Sequence, residues 1–293
     1  MDDSKPGNPR LLRFPYEKLK TMEVRQDDIF LTTYPKSGSH WVLRIITSIV
    51  RGTDIDTTGL PAPEHPFVEI MLNEEEDDDP RLLLAKKKDG HPVNFHPSMM
   101  KSPRVMATHA PYDLLPTQFH EKRPKMIYIA RNPKDLAVSA FKQFGGPPFQ
   151  MYDEFPQFLE EFLNGEAIGN IGHWGSHVLD WWKRRHDNNV LYLKYEDLKK
   201  DPRAGIQNIA EFIGKDLTPE DIDKIAHHCS FDYMKKAFQD DAYMKAFGWK
   251  EHPFVRRGKV GGWKETLTVA QNEMIDNYCE QWLKGTGLEF EME

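Results

Sequence analysis

Short apolar runs alternate with amphipathic segments along most of this chain. Runs with strand character are predicted at Asp28–Tyr34, Arg104–Thr108, Lys125–Ala130 and Val190–Lys194. Segments with helical spacing are predicted at Ser39–Arg51, Pro133–Phe144, His173–Asp187, Arg203–Ile213, Pro219–His228 and Thr268–Leu283. Strands that alternate with helices favour an α/β fold, in which a parallel central sheet is flanked by helices on both faces. Ligands of such sheets bind at the carboxyl ends of the strands.

Length and composition fit one domain of this kind. The 293 residues, of which 39% are apolar, can bury a sizeable core. No internal repeat or Gly/Ser linker divides them, so we expect a single domain over residues 1–293, with 1–24 as a partly ordered N-terminal extension. The acidic run Glu74–Asp79 and the aromatic, charged stretch Gln239–Arg256 are predicted to be loops.

Charge and cysteine content narrow the class of protein. A net charge of −7 argues against a nucleic-acid binder, which needs a basic face to meet phosphates. Cys229 and Cys279 form neither a disulfide framework nor a metal set, and they suit a reducing compartment. Residues 1–10 do not resemble a signal peptide, and no apolar run approaches about 18 residues. We therefore expect a cytoplasmic protein without a membrane segment.

A short polar loop joins the first predicted strand to the first predicted helix. It reads Lys36-Ser37-Gly38-Ser39. A helix N-terminus offers backbone N–H groups and the positive end of the helix dipole to an anion. Gly38 lets the backbone approach closely, Lys36 adds a charge, and the serines add hydroxyl donors. The loop predicts a phosphate-binding site, although its lysine precedes the glycine, unlike in Gly-x-x-x-x-Gly-Lys-Ser/Thr.

Two further segments carry arginines suited to anions. Arg131 follows the third predicted strand, and its planar guanidinium fits a phosphate. The alternative is an arginine that caps the next helix and pairs with Asp135. Later in the chain, Arg256-Arg257-Gly258 can form an anion-binding turn, with a solvated basic loop as its alternative.

A predicted strand delivers His109 to its end, where Pro111 halts regular structure. A lone histidine is more often structural, and the chain holds twelve. However, neutral imidazole near pH 7 is suited to remove the proton of an alcohol or phenol. His109 is therefore a candidate general base.

Together these motifs resemble the cytosolic sulfotransferase family. They are Tyr34-Pro35-Lys36-Ser37-Gly38 followed by a hydroxyl and Trp41, Thr108-His109-x-Pro111, Arg131 with Ser139, and Arg256-Arg257-Gly258. The resemblance runs from about Arg25 to Lys284, with every motif in the expected order. It implies a nucleotide-kinase-like fold with a phosphosulfate-binding loop. It also implies 3′-phosphoadenosine 5′-phosphosulfate (PAPS) as co-substrate, PAP as product and no required metal.

The resemblance assigns a donor site. The phosphosulfate loop comprises Lys36, Ser37, Gly38, Ser39, His40 and Trp41. The 3′-phosphate is held by Arg131 and Ser139, under a closing segment of Phe254, Val255, Arg256, Arg257 and Gly258. The adenine is sandwiched by Trp41 and Phe231, because flat π faces stack on a flat base. Its pocket is completed by Tyr195, Cys229, Ser230 and Met234.

The resemblance also implies the catalytic roles. His109 is the general base, Lys36 stabilises charge on the leaving phosphate oxygen, and Ser139 restrains Lys36 until the acceptor arrives. The acceptor is a hydroxyl or amine of a small organic molecule such as a phenol, a steroid or another alcohol. Its apolar pocket is predicted to be lined by Phe95, Tyr112 and Phe144.

A segment near the C-terminal end resembles the small dimer-contact motif of the same family. Lys264, Thr268, Val269 and Glu273 fit the pattern Lys-x-x-x-Thr-Val-x-x-x-Glu. A lysine and a glutamate at its two ends can pair with the same residues of a twofold mate, which predicts a homodimer. The alternative is that Thr268 caps the last helix, and both can hold.

Several positions depart from the family pattern, among them Gly262, which replaces a common aspartate before Trp263, and two other protein classes stay open. His40 replaces a hydroxyl near the donor phosphate. Ala107 stands where many members carry a lysine that helps hold the sulfuryl group. These replacements leave open a nucleotide-binding protein with weak or no catalysis. The second alternative is a nucleotide or small-molecule kinase, which would need a Walker-type lysine and a magnesium-organising acid.

Overall fold

The computed structural model describes residues 16–52, 67–72, 87–88, 91–92, 97–146, 150–238 and 258–293. The predicted loops Glu74–Asp79 and Gln239–Arg256 lie outside these ranges. The described strands are Ile29–Thr33 (β1), Lys87–Lys88 (β2), His91–Pro92 (β3), Val105–Thr108 (β4), Lys125–Ala130 (β5) and Val190–Lys194 (β6). The central sheet has the order β4-β1-β5-β6 with all pairs parallel, and β2 pairs with β3 in a separate antiparallel sheet.

The predicted strands all lie in the central sheet. The bounds Lys125–Ala130 and Val190–Lys194 are confirmed, and the other two strands are shorter than predicted. Tyr34 lies outside β1 because the chain turns there, with the Ser37 N–H donating to the Tyr34 carbonyl at 3.2 Å. All five residues of β1 are buried, which is typical of a strand covered on both faces.

Helices connect and cover the strands. They are Tyr16–Lys20 (α1), Ser39–Arg51 (α2), Val68–Leu72 (α3), Thr117–Lys122 (α4), Pro133–Phe144 (α5), Phe155–Leu163 (α6), Trp174–Trp182 (α7), Tyr195–Lys200 (α8), Pro202–Ile213 (α9), Pro219–His228 (α10), Phe231–Phe238 (α11) and Val269–Leu283 (α12). Single 3₁₀ turns lie at Pro97–Met99, Tyr112–Leu114, Gly169–Ile171 and Gly262–Glu265. In the described part of the chain, no helix has the length and apolar character needed to cross a membrane.

Both faces of the central sheet bury apolar side chains. One cluster, which includes residues of α7, contains Phe30, Met106, Tyr128, Trp174 and Trp181. The other, which includes residues of α2 and α9, contains Leu31, Ala107, Ile127, Ile45 and Ile209. Because neighbouring strand residues point to opposite faces, the two clusters lie on opposite sides of the sheet. The predicted α/β fold with helices on both faces is confirmed.

Side chains define where several helices begin and end. Asn132 caps α5 by accepting the Asp135 N–H at 2.9 Å, and Pro133 occupies the first turn. The helix predicted over His173–Asp187 ends earlier, at Trp182. In a continuing helix, the Asp180 carbonyl would accept the Arg184 main-chain N–H. Here it accepts the Arg184 guanidinium at 2.6 Å instead, which explains why the helix ends.

A buried ion pair joins the amino ends of β1 and β4. Arg104 donates to Asp28 through Nε at 2.7 Å and through Nη2 at 2.5 Å, and both side chains are fully buried. The guanidinium also donates to the carbonyls of Pro97 and Glu23, both at 3.0 Å. Each of its three nitrogens therefore has a hydrogen-bond partner, which offsets the desolvation of the pair.

We expect Arg104→Ala to lower the free energy of unfolding by about 3–5 kcal/mol, because the substitution leaves the Asp28 charge buried without its partner. Urea titration followed by circular dichroism measures the loss. Arg123→Ala is the matched control. Arg123 forms an ion pair with Asp187 at the surface, where the two side chains are 54% and 41% exposed. The control should cost less than about 1 kcal/mol. Equal losses would contradict a special dependence of the sheet on the buried pair.

Candidate active site

The carboxyl ends of the four central strands bring the predicted motifs together. The loop from Lys36 follows β1, His109 follows β4, Arg131 follows β5 and Tyr195 follows β6. The Arg131 guanidinium donates to the Lys36 carbonyl at 3.1 Å, so the first and third motifs are in contact. The predicted placement of the ligand site at this edge of the sheet agrees with the geometry of the described residues.

The loop before α2 has the backbone of an anion-binding turn. Lys36 and Gly38 have φ values of 73° and 99°, in the left-handed region. At Gly38 a Cβ would lie 2.8 Å from the Tyr195 ring, so both space and φ favour glycine. The Ser37 hydroxyl is buried and has no hydrogen-bond partner among the described residues. Because buried hydroxyls are almost always paired, this oxygen is a candidate ligand donor.

A chain of hydrogen bonds links this loop to the candidate base. Ser39 Oγ lies 2.7 Å from Thr33 Oγ1, which lies 3.1 Å from His109 Nδ1. His109 Nδ1 also lies 2.8 Å from the Thr33 carbonyl oxygen. A carbonyl can only accept, so Nδ1 carries the proton and Nε2 keeps the lone pair. His109 is thus held in the tautomer that a general base with a free Nε2 requires.

The surroundings of His109 favour the neutral ring. The pKa of His109 is lowered to about 4, mainly by burial and to a smaller extent by the nearby Lys36 ammonium, while the hydrogen bond to Thr33 acts in the opposite direction. The imidazole is therefore uncharged at neutral pH and able to accept a proton.

The Lys36 ammonium donates to the side-chain oxygen of Gln143. Gln143 is buried on α5, one turn beyond Ser139, which was predicted to restrain Lys36 and is half-buried. Sequence reasoning missed Gln143. The available signal was its spacing, since residues four apart share one face of a helix. Two polar side chains on this face of α5 are thus available to the lysine.

Arg131 is held by backbone carbonyls and an aromatic face. Its guanidinium lies 4.4 Å from the Tyr195 ring centroid and donates to the Lys259 carbonyl at 3.4 Å. Its Nε is buried and unpartnered in the part of the chain that the structure describes. Asp135, the alternative partner of Arg131, instead accepts the N–H groups of Gly261 at 2.8 Å and Trp263 at 2.9 Å. These contacts favour the anion-binding interpretation of Arg131.

A cavity of about 220 Å³ opens beside the loop. It is lined by Trp41, Ile45, Lys199, Pro202, Arg203, Ile206, Ala226, Cys229, Ser230 and Phe231. The Trp41 indole donates to the Cys229 carbonyl at 2.8 Å, and its ring lies edge-on to Tyr195 at 5.4 Å. Met234 is buried against Trp41 and Phe231. The predicted adenine-pocket residues thus lie together, and two aromatic faces line the cavity.

Part of the predicted site lies outside the described residues. This part comprises Phe95, Phe254, Val255, Arg256 and Arg257. Gly258, the last residue of the predicted closing segment, is described and has φ 59°. A Cβ at Gly258 would lie 2.7 Å from the Phe231 ring, so Gly258 lies at the edge of the cavity.

The predicted acceptor residues differ in their exposure. Tyr112 is half-buried, with its ring 5.3 Å from Trp181, whereas Phe144 is 3% exposed within the core. Phe67 was not predicted from the sequence. Its ring centroid lies 5.0 Å from that of His109 and 5.3 Å from that of His40. A single aromatic residue carries no periodic signal, so only the fold brings Phe67 to His109.

Charged ligands for a metal ion do not converge in the described residues. No group of three His, Cys, Asp or Glu side chains there could hold one. Cys229 and Cys279 are both free and buried.

Comparison with known proteins decides the family. Residues 26–287 match the sulfotransferase domain family. Sulfotransferase 1B1 of the dog (Canis lupus familiaris) is 34% identical over 98% of this chain and 94% of that protein. This chain belongs to the sulfotransferase family. Sulfotransferase 1A1 of the rat (Rattus norvegicus) is 35% identical over 94% of this chain and 91% of the rat protein. The resemblance read from the motifs is confirmed.

Solved structures agree with this sulfotransferase assignment. The crystal structure of mouse sulfotransferase SULT7A1 complexed with PAP is 29% identical, with a TM-score of 0.70 over 92% of this chain and 89% of the mouse chain. Retinol dehydratase in complex with androsterone and PAP has a TM-score of 0.78 over 94% of this chain and 87% of that chain. Its identity of 24% shows the shared fold alone.

Proposed function

We propose that this sulfotransferase transfers a sulfuryl group from PAPS to a hydroxyl or amine of a small organic acceptor and releases PAP. The observation that carries the proposal is the hydrogen-bonded chain from Ser39 through Thr33 to His109. This chain of contacts supports one connected site, in which the loop would bind an anion and His109 would act as a base of the required tautomer. The PAP complex of mouse SULT7A1 supports the choice of nucleotide.

The donor fits the groups that the loop leaves available. The buried Ser37 hydroxyl and the N–H groups of the first turn of α2 suit the 5′-phosphosulfate. The guanidinium of Arg131, with Ser139 on the following helix, suits the 3′-phosphate. The adenine fits the cavity between Trp41 and Phe231.

Transfer needs the acceptor deprotonated and the leaving phosphate stabilised. His109 Nε2 accepts the hydroxyl proton as the acceptor oxygen attacks sulfur, and the bond from sulfur to the phosphate oxygen breaks. The Lys36 ammonium then leaves Gln143 and meets the charge that develops on that oxygen. Ala107 is a buried methyl, so it adds no charge at this step, and Lys36 with the loop N–H groups supplies the stabilisation.

The low pKa of His109 belongs to the protein without its donor. A base works best when its pKa is near the working pH. A phosphosulfate bound beside His109 brings negative charge, which favours the imidazolium and raises the pKa from about 4 towards neutrality. The donor therefore makes His109 a stronger base when transfer is required.

We further propose a homodimer through Lys264, Thr268, Val269 and Glu273. Val269 is 75% exposed at the start of α12, so its side chain is accessible to a mate. Thr268 also caps this helix by accepting the Gln271 N–H at 3.3 Å, so it serves both interpretations. Lys264 pairs with Glu293 at 2.8 Å on an exposed surface, a weak contact that a mate can replace.

Two free cysteines support a reducing, cytoplasmic setting.

We expect the purified protein to transfer label from ³⁵S-PAPS to phenolic or alcoholic acceptors and no label from γ-³²P-ATP. His109→Ala should lose kcat by about 10²–10⁴-fold, the usual contribution of a general base. PAP affinity, measured by isothermal titration calorimetry, should stay nearly unchanged, because the base acts on the barrier and not on nucleotide binding.

Three outcomes would count against this assignment. Retention of more than about a tenth of wild-type kcat in His109→Ala would remove His109 as the base, given that usual contribution. PAP binding without transfer to any acceptor in the wild-type protein would favour a non-catalytic nucleotide binder. Label transfer from ATP would favour a kinase.

Arg131→Ala should weaken PAP binding far more than binding of adenosine 5′-phosphate, which lacks the 3′-phosphate. Losing a charge-assisted hydrogen bond costs about 1.5–3 kcal/mol. Calorimetric titration of both nucleotides against wild-type and variant protein gives the comparison. Equal losses for the two nucleotides would mean that Arg131 does not contact the 3′-phosphate.

Glu273→Lys should give monomers that still transfer sulfuryl groups, because the proposed active site lies within one chain. Sedimentation at several concentrations reports the oligomeric state, and the buried area should be smaller than the standard interface of about 1,600 Å². Glu280→Lys is the matched control, since Glu280 is also exposed on α12 but lies outside the motif. A dimer that survives Glu273→Lys would place the contact on another surface.

A further inference from the structure

Two side chains hold the main chain of His109. Its N–H donates to Glu69 Oε1 at 2.5 Å, and its carbonyl lies 3.1 Å from His177 Nε2. Since a carbonyl accepts, His177 carries its proton on Nε2, and its Nδ1 accepts the Tyr128 hydroxyl at 2.8 Å. The two side chains belong to α3 and α7, which are far apart in the chain.

These two hydrogen bonds take the place of the backbone pairing between β4 and β1, which ends before His109. Thr108 is the last residue of β4 and is paired with Thr32, so the ladder stops one residue before His109. Glu69 Oε1 also accepts the Thr108 hydroxyl at 2.5 Å, and that hydroxyl oxygen accepts the Ala110 N–H at 3.0 Å. One carboxylate oxygen therefore organises three consecutive residues around the base.

The placement of Glu69 is costly for stability. Its other oxygen, Oε2, is buried and has no hydrogen-bond partner within the described ranges. Burial raises the pKa of Glu69 to about 7, although the donors from Thr108 and His109 act in the opposite direction. A buried carboxyl with one unsatisfied oxygen lowers stability, and such groups cluster at functional sites.

We propose that Glu69 is a positioning residue for the base, holding the His109 main chain so that Nε2 faces the acceptor. The inference rests on the proposed role of His109 as the base. Glu69 acts through hydrogen-bond acceptance by Oε1, not by taking a proton from substrate. The Thr33 carbonyl orients the imidazole ring, and Glu69 fixes the backbone from which that ring projects.

The test compares Glu69→Gln with Glu69→Leu. Glutamine keeps an acceptor oxygen, so its kcat should stay within about threefold of wild type, whereas leucine removes the acceptor. A displacement of about 1 Å from a catalytic geometry costs on the order of 10²-fold, so Glu69→Leu should lose kcat on that scale. The acceptor KM and the PAP affinity should change less than about threefold, because neither depends on proton transfer.

A double-mutant cycle separates positioning from general destabilisation. In the His109→Ala background, Glu69→Leu should cause no further loss of the residual rate, since there is no base left to position. Arg104→Ala is the matched control, because it weakens the opposite end of the same strand and should leave kcat unchanged. Thr108→Val, which removes one donor to Glu69 and keeps the other, serves as the second variant if Glu69→Leu does not fold, and should give an intermediate loss.

Each failure has a distinct meaning. If Glu69→Gln is as impaired as Glu69→Leu, the carboxylate charge is required and positioning by hydrogen bonding is wrong. If Glu69→Leu or Thr108→Val lowers the rate equally with and without His109, the effect does not pass through the base and the inference is overturned. If His109→Ala alone has no effect, it is the proposed base that fails.

Discussion

The parallel register between β1 and β4 is the constraint on which the rest of the site depends. Thr32 stands opposite Thr108, so the next residue of β1 lies beside the first residue after β4. The Thr33 carbonyl therefore meets His109 Nδ1 at 2.8 Å. The Lys36-Ser37-Gly38-Ser39 loop continues from β1, and His109, the proposed base, follows β4. A one-residue slip in the register would turn every side chain of the shifted strand to the opposite face. It would thereby separate His109 from Thr33 and the loop that follows β1.

The sequence was informative where chemistry and local periodicity coincide. The bounds Lys125–Ala130 and Ser39–Arg51 were correct because apolar runs and helical spacing are local signals. Glu69 was not predicted, since its partners lie 39 and 40 residues away and its helix is too short to show a period. Gln143 shares a helix face with Ser139, but that spacing does not identify its partner, because the contact with Lys36 spans 107 residues. Only the packed fold carries that information.

The electrostatics of the site differ from those of the whole chain. A net charge of −7 disfavours attraction to an extended polyanion. Lys36 and Arg131 nevertheless lie together at the carboxyl edge of the sheet, where the Arg131 guanidinium donates to the Lys36 carbonyl. The Ser37 hydroxyl and the Arg131 Nε have no hydrogen-bond partner within the described structure. Buried donors without acceptors favour a compact anion that can satisfy them at short range. A net negative chain with a local pair of cationic residues thus favours a compact anion over an extended polyanion.

The contacts of Asp135 have a consequence for folding. This carboxylate accepts N–H groups 126 and 128 residues further along the chain, and thereby ties the segment that begins at Gly258 to the amino end of α5. Such contacts join parts of the chain that are far apart in sequence, and closing the loop between them costs entropy. The nucleotide site is therefore complete only after nearly the whole chain has folded. Because partly folded chains lack it, each bound nucleotide draws the folding equilibrium towards the native state.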